Sequence, residues 1–143
     1  MEESRMLEEK LSYKVYGIFI EVSKKYGHLY KEEIYHKACQ EQFEKENISY
    51  VSKPRIDIIS LDTGKKLGAY VPDFLVANKI IVELKSLKML PKAMSDQLEQ
   101  YLKASAYEIG YLVNFGRPKA QIIRRIYTND RKPHIREPFV KYS

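Results

Sequence analysis

A chain of 143 residues, 44% hydrophobic and 31% charged, is long enough to bury about two-thirds of its unfolded surface in one core, which excludes a disordered or fibrous protein. One cysteine, Cys39, excludes an internal disulfide, and no apolar run nears the ~20 residues that cross a bilayer, so a reducing, cytoplasmic setting without a membrane partner is expected. The net charge of +6 is unevenly spread: residues 1–116 hold 17 Lys/Arg against 17 Asp/Glu, whereas residues 117–143 hold eight basic residues against Asp130 and Glu137.

From Leu7 to Tyr26, Leu7, Leu11, Val15, Ile18, Phe19 and Val22 recur at three- and four-residue steps, which predicts an amphipathic helix stopped by Gly27. A second helix is predicted from about Tyr30 to Glu46, with Ile34, Ala38 and Phe43 as its apolar stripe and Cys39 as a buried thiol at or beside it. Residues 55–61 are rich in β-branched side chains and end in the turn sequence Asp62-Thr-Gly-Lys. They are expected to pair with residues 66–76, and these in turn with residues 80–86 across Ala77-Asn78-Lys79, giving three consecutive antiparallel strands. Pro72 then needs an edge position or a bulge, where its missing N–H breaks no ladder bond. A third helix after Pro91 carries Met94, Leu98, Tyr101, Leu102 and Ser105, and ends near Tyr107. An apolar strand at 109–115 and a weaker one at 121–127 complete an α-α-β-β-β-α-β-β order, an α/β domain whose mixed sheet is flanked by helices.

The chemistry-bearing stretch is Pro72-Asp73, followed ten residues after the aspartate by Glu83-Leu84-Lys85. Strand alternation sends Glu83 and Lys85 to one face and Val82 and Leu84 to the other, towards the core. A hairpin symmetric about Asn78 sets Asp73 opposite Glu83. Opposed like charges are destabilising and are relieved by protonation of one or by a cation, and a hard, oxygen-seeking ion such as Mg²⁺ meets that need.

These residues resemble the signature of the PD-(D/E)XK nuclease superfamily, placed on neighbouring strands of a hairpin. Gln97-Leu-Glu-Gln-Tyr101 resembles the Gln-x-x-x-Tyr motif of its RecB-like and Cas4-like branches, with both side chains on one helical face. A closer likeness, over roughly residues 11 to 127, is to the small GxxExxR family of the same superfamily. It covers Gly27-His-Leu-Tyr-Lys-Glu-Glu-Ile-Tyr, the hairpin, the Gln97/Tyr101 helix and Tyr111-Leu-Val-Asn-Phe-Gly. Glu32 falls at the family's first glutamate, with adjacent Glu33 as the alternative, and Tyr35 at its arginine or tyrosine; Leu29 stands where a second glycine is expected.

The resemblance implies a single restriction-endonuclease-like domain over 1–143, with a basic tail from about 128. It also implies a metal-dependent nuclease, DNA ahead of RNA, using Mg²⁺ with Mn²⁺ as a substitute. Asp73 and Glu83 would hold the ion, joined by the Leu84 carbonyl and by Glu32 directly or through water. Lys85 would orient water or neutralise developing charge, and Gln97 with Tyr101 would position the phosphate. The basic excess near Arg124, Arg125, Arg131 and Lys132 suits a polyphosphate backbone. A homo-oligomer is compatible with the sequence.

Each residue also has a plainer reading. Asp73 and Glu83 pair with Lys85 and Lys79 on a wet strand, Glu32 complements a helix dipole, Tyr101 packs in the core, and the basic tail is a solubilising surface. His28, His36 and His134 have no mutual spacing that suggests a site and read as surface or capping residues. The competing function is a catalytically inactive nucleic-acid-binding or assembly module of the same fold, against which the intact Asp73, Glu83 and Lys85 argue.

Overall fold

The computed structural model describes residues 2–132, with side chains from residue 8 onward. Expectations for residues 133–143, among them His134 and the outer part of the basic tail, lie outside the described residues. Helices α1 (Glu2–Tyr26) and α2 (Glu32–Lys45) precede strands β1 (Tyr50–Ser52), β2 (Ile56–Ile59), β3 (Lys66–Tyr70), β4 (Phe74–Val76) and β5 (Ile80–Lys85). Helix α3 (Lys92–Lys103), strands β6 (Ile109–Asn114) and β7 (Gln121–Ile126) and a 3-10 turn (Asn129–Arg131) follow. The main sheet has the order β1-β4-β5-β6-β7, and β2-β3 form a separate two-stranded sheet. Strands β1, β4 and β5 are antiparallel neighbours, and β6 runs parallel to β5 after the α3 crossover, so the mixed α/β class read from the sequence is the class observed.

Each face of the sheet carries its own core. Val15, Ile18, Phe19 and Val22 of α1, with Tyr35, Cys39 and Phe43 of α2, pack on Phe74, Val82 and Leu84. On the other face Leu98 and Leu102 of α3 meet Ile81, Leu112 and, from the small sheet, Ile56 and Tyr70. The predicted α2 stripe needs one correction: Ile34 is exposed, and Tyr35, one residue on, fills the core instead. Cys39 is buried, as expected, and desolvation raises its thiol pKa above the ordinary value.

The expected three-strand meander is also rearranged. Residues 66–76 do not form one strand: β3 pairs with β2, the chain breaks at Val71-Pro72-Asp73, and β4 enters the main sheet against β1. Pro72 explains the break, because a proline cannot donate to a continuing ladder. Strand β1 was missed because three residues, Tyr50-Val51-Ser52, carry too short a pattern to stand out in a sequence.

Candidate active site

Strands β4 and β5 pair Phe74 with Val82, Leu75 with Ile81 and Val76 with Ile80, the register expected from symmetry about Asn78. Ala77 and Asn78 both take positive φ, 52° and 55°, and Lys79 N–H closes the turn on the Val76 carbonyl at 2.9 Å. A one-residue slip would turn Glu83 and Lys85 into the core beneath α1 and α2 that Val82 and Leu84 fill. Burying two charged side chains in that apolar cluster without partners is strongly unfavourable, so the core itself fixes where the polar pair points. One step beyond the last pair, Asp73 faces Glu83, and the Asp73 Oδ2 accepts the Leu84 N–H at 2.8 Å.

The carboxylates interact. Burial, and next the charge of Asp73, push the Glu83 carboxyl up to about 7, against the pull of Lys85. Glu32, the first residue of α2, is also raised, by desolvation and then by Asp73. Asp73, Glu83, Lys85 and Glu32 therefore share one field. Among the described residues no group of three or more Asp, Glu, His or Cys side chains converges as a cation cage. Two carboxylates beside one lysine remain a hard-oxygen donor set suited to an ion that keeps several of its waters, as Mg²⁺ does. Leu84 can add only its carbonyl, since its side chain is buried and its N–H is bound.

His36 is the residue that the sequence concealed. It is neither a surface nor a capping residue: it is 7% exposed, stacks on Phe74 at 4.2 Å, and places Nδ1 2.9 Å from Asp73 Oδ1 and Nε2 2.8 Å from Ser52 Oγ. An ionised Asp73 only accepts, so Nδ1 carries a proton, and on a neutral ring Nε2 accepts from the Ser52 hydroxyl. Ser52, His36 and Asp73 have the connectivity of a hydrolase relay. The neighbouring Lys53 N–H, however, already donates to the Asp73 carbonyl at 2.8 Å, so it is not available to an oxyanion. The arrangement orients Asp73. No sequence motif links residues 36, 52 and 73; β1 brings Ser52 there, and β1 itself was missed.

On the α3 side, Tyr101 lies flat on Tyr70, with ring centroids 3.8 Å apart and planes at 10°. Burial raises the Tyr70 hydroxyl pKa, helped by the Glu83 charge and by a hydrogen bond between the two side chains. Tyr101 thus reaches the site through Tyr70, a residue the sequence reading did not single out. Gln97, one turn earlier on α3, is exposed.

Two grooves meet at Glu32. One, about 540 Å³, is lined by His36, Ser52, Lys53 and Asp73; the other, about 740 Å³, by Tyr30, Lys31, Lys88 and Arg117. The basic residues expected to bind nucleic acid line neither. Arg124 reaches Ser12 Oγ at 3.4 Å on the α1 face, Arg125 donates to the Arg124 carbonyl at 3.1 Å, and Arg131 covers the Tyr127 ring at 3.9 Å. Lys132 is a correction. It is 1% exposed, its Nζ donates to Ser105 O, Tyr107 O and Asn129 Oδ1 at 3.1, 2.8 and 2.8 Å, and burial lowers its pKa to about 8. A side chain so enclosed cannot contact a phosphate without leaving its acceptors.

The model of the PD-(D/E)XK nuclease superfamily matches residues 9–126, which takes in both grooves, the hairpin and α3. No curated protein matches the chain, and no solved structure does. Members of this superfamily are in general nucleases that use divalent metal ions and act on nucleic acid. With a match over most of its length, the chain belongs to the PD-(D/E)XK nuclease superfamily.

Proposed function

We propose that this chain is a divalent-metal-dependent phosphodiesterase of the GxxExxR branch, cleaving DNA ahead of RNA, with Mg²⁺ as its ion and Mn²⁺ able to replace it. The observation that carries this reading is the pairing of Asp73 with Glu83, whose carboxyl is pushed up to about 7, beside Lys85 on the same strand face. Asp73 and Glu83 would hold the ion with the Leu84 carbonyl, and Glu32, which does not converge with them as a third direct ligand, would reach it through water. A bound divalent ion supplies Lewis-acid activation of water and stabilises charge on the phosphate. Lys85 neutralises negative charge that develops on the phosphoryl oxygens. Gln97 contacts the phosphate from α3, while Tyr101, through Tyr70, steadies Glu83. His36 holds the Asp73 carboxylate in one orientation.

A second reading, a catalytically silent nucleic-acid-binding or assembly module, draws on one observation: His36 and Leu84 already bond both oxygens of Asp73. Single-turnover cleavage of labelled single- and double-stranded DNA and RNA, with saturating Mg²⁺ or Mn²⁺, separates the two. Cleavage by the wild type is expected, with Lys85→Ala about two to three orders of magnitude slower and Lys85→Arg partly restored. An Asp73→Ala preparation controls for contaminating nuclease. Wild-type rates in Lys85→Ala would remove its assigned role, and no cleavage of any substrate would favour the silent module.

A further inference from the structure

We propose that the groove between Tyr30, Lys88 and Arg117 is a track for an unpaired nucleic-acid strand that leads to the Asp73–Glu83 site. This deepens the nuclease reading by naming the substrate class, a single strand or a frayed end. The walls of the groove are built in advance. Gly27, at φ 73°, turns the chain out of α1; Tyr35 Oη donates to the Gly27 carbonyl at 2.6 Å and accepts the Tyr30 N–H at 3.3 Å. Ser86 Oγ donates to the Tyr30 carbonyl at 2.7 Å, tying the first wall to the second. Asn114 holds the second wall as a strand would, accepting Leu87 N–H at 2.8 Å and donating to Leu87 O at 2.9 Å. Gly116 forms the third wall, so close that a Cβ there would lie 2.3 Å from the Leu87 nitrogen.

What lines these fixed walls is an unusual mixture. Lys31, Lys88 and Arg117 are exposed and, among the described residues, make no ion pair or side-chain hydrogen bond, in contrast to the engaged Arg124, Arg125, Arg131 and Lys132. Beside them Leu29 is 87% exposed and Tyr30 52%, with the Tyr30 ring held edge-on against Tyr35 at 6.3 Å. A solubilising surface gains nothing from an exposed aromatic ring whose backbone is tied on both sides. Unpaired cations answer to backbone phosphates, and a preset aromatic ring to the face of a base, which only an unpaired strand presents. Because Glu32 lines both grooves, a strand in this track runs directly to Asp73.

The test separates binding from cleavage. With EDTA present, fluorescence anisotropy compares a labelled 15-nucleotide single strand with its blunt duplex. The single strand is expected to bind more tightly; Tyr30→Ala weakens it about tenfold and the duplex little, and Tyr30→Phe restores it. A Lys31→Gln/Lys88→Gln/Arg117→Gln variant lowers the slope of log affinity against log salt by about 2, since each phosphate contact on a single strand contributes about 0.7. Preference for the duplex, an unchanged salt slope, or equal competition by polyglutamate overturns the track. Cleavage with Mg²⁺ is scored separately, so a nuclease without the track, and a track without cleavage, give different results.

Discussion

Asp73 is hydrogen-bonded from two sides before any cation reaches it, and the two bonds do different work. The Leu84 N–H belongs to the hairpin and fixes where the carboxylate sits; the His36 bond, anchored through Ser52, fixes how it is turned. Partners of this kind orient a ligand, and their loss typically weakens metal affinity by about 10–100-fold. His36→Phe keeps the stack on Phe74 but removes both polar contacts, so calorimetry should show Mg²⁺ or Mn²⁺ affinity down by about tenfold or more. His36→Asn retains an N–H donor near the Nδ1 position and should recover most of that loss. A folded His36→Phe protein that binds metal like the wild type would refute the positioning role. Of these residues Asp73, Glu83 and Lys85 were legible in the sequence, because a ten-residue hairpin spacing and strand alternation are local rules. His36 was not: its meaning depends on Ser52 and Asp73, 16 and 37 residues away.

At the scale of elements, the long periodic segments and the β2–β3 pair read correctly, whereas three-residue β1 and the break at Pro72 did not. Helix α1 and strands β5 and β6 announce themselves by repeated apolar positions, whereas the switch of sheets at Pro72 is set by which neighbour is available to pair. Loops are fixed with equal specificity. A Cβ at Gly116 would meet backbone atoms of Leu87 at 2.3–2.7 Å, and backbone, unlike a side-chain tip, cannot rotate away. Gly116→Ala should therefore destabilise by about 2 kcal/mol or more in urea titration, while Gly110→Ala, which meets only the end of Leu98, should do less harm. Equal stability of the two variants would show that the 86–88 loop moves freely.

Lys132 fastens the 3-10 turn to the loop between α3 and β6, and its buried ammonium makes that junction sensitive to pH. Its pKa falls from 10.5 to about 8 on folding, so between those values the unfolded chain binds the extra proton. Stability from this group is thus least below about 8 and rises as pH climbs towards 10.5. Wild type should gain on Lys132→Met by about 1–3 kcal/mol between pH 7.5 and 10, read as the difference between two urea series. A difference that stays flat or falls over that range would contradict the sign.

For the molecule as a whole, the charge that looked like a tail property is divided by the fold. Arg124, Arg131 and Lys132 are held by local partners, while Lys31, Lys88 and Arg117 stand open beside a groove. The site sits where the end of the β4–β5 hairpin meets the first turn of α2, so parts far apart in sequence converge on two carboxylates. Among the described residues no helix is long and apolar enough to cross a membrane. Repulsion between the Asp73 and Glu83 carboxylates is a term in global stability. An ion bound only by the folded state stabilises it by about 2.7 kcal/mol at 100 times its dissociation constant. For a chain of 143 residues that corresponds to a melting temperature higher by about 8–10 °C. Thermal melts with and without Mg²⁺ or Mn²⁺ check this. An Asp73→Ala/Glu83→Ala double variant should show no such rise above its own metal-free melting temperature, having lost the ligands, even though it also leaves the His36 and Leu84 donors without their acceptor. The same rise in the double variant would place the bound ion elsewhere on the protein.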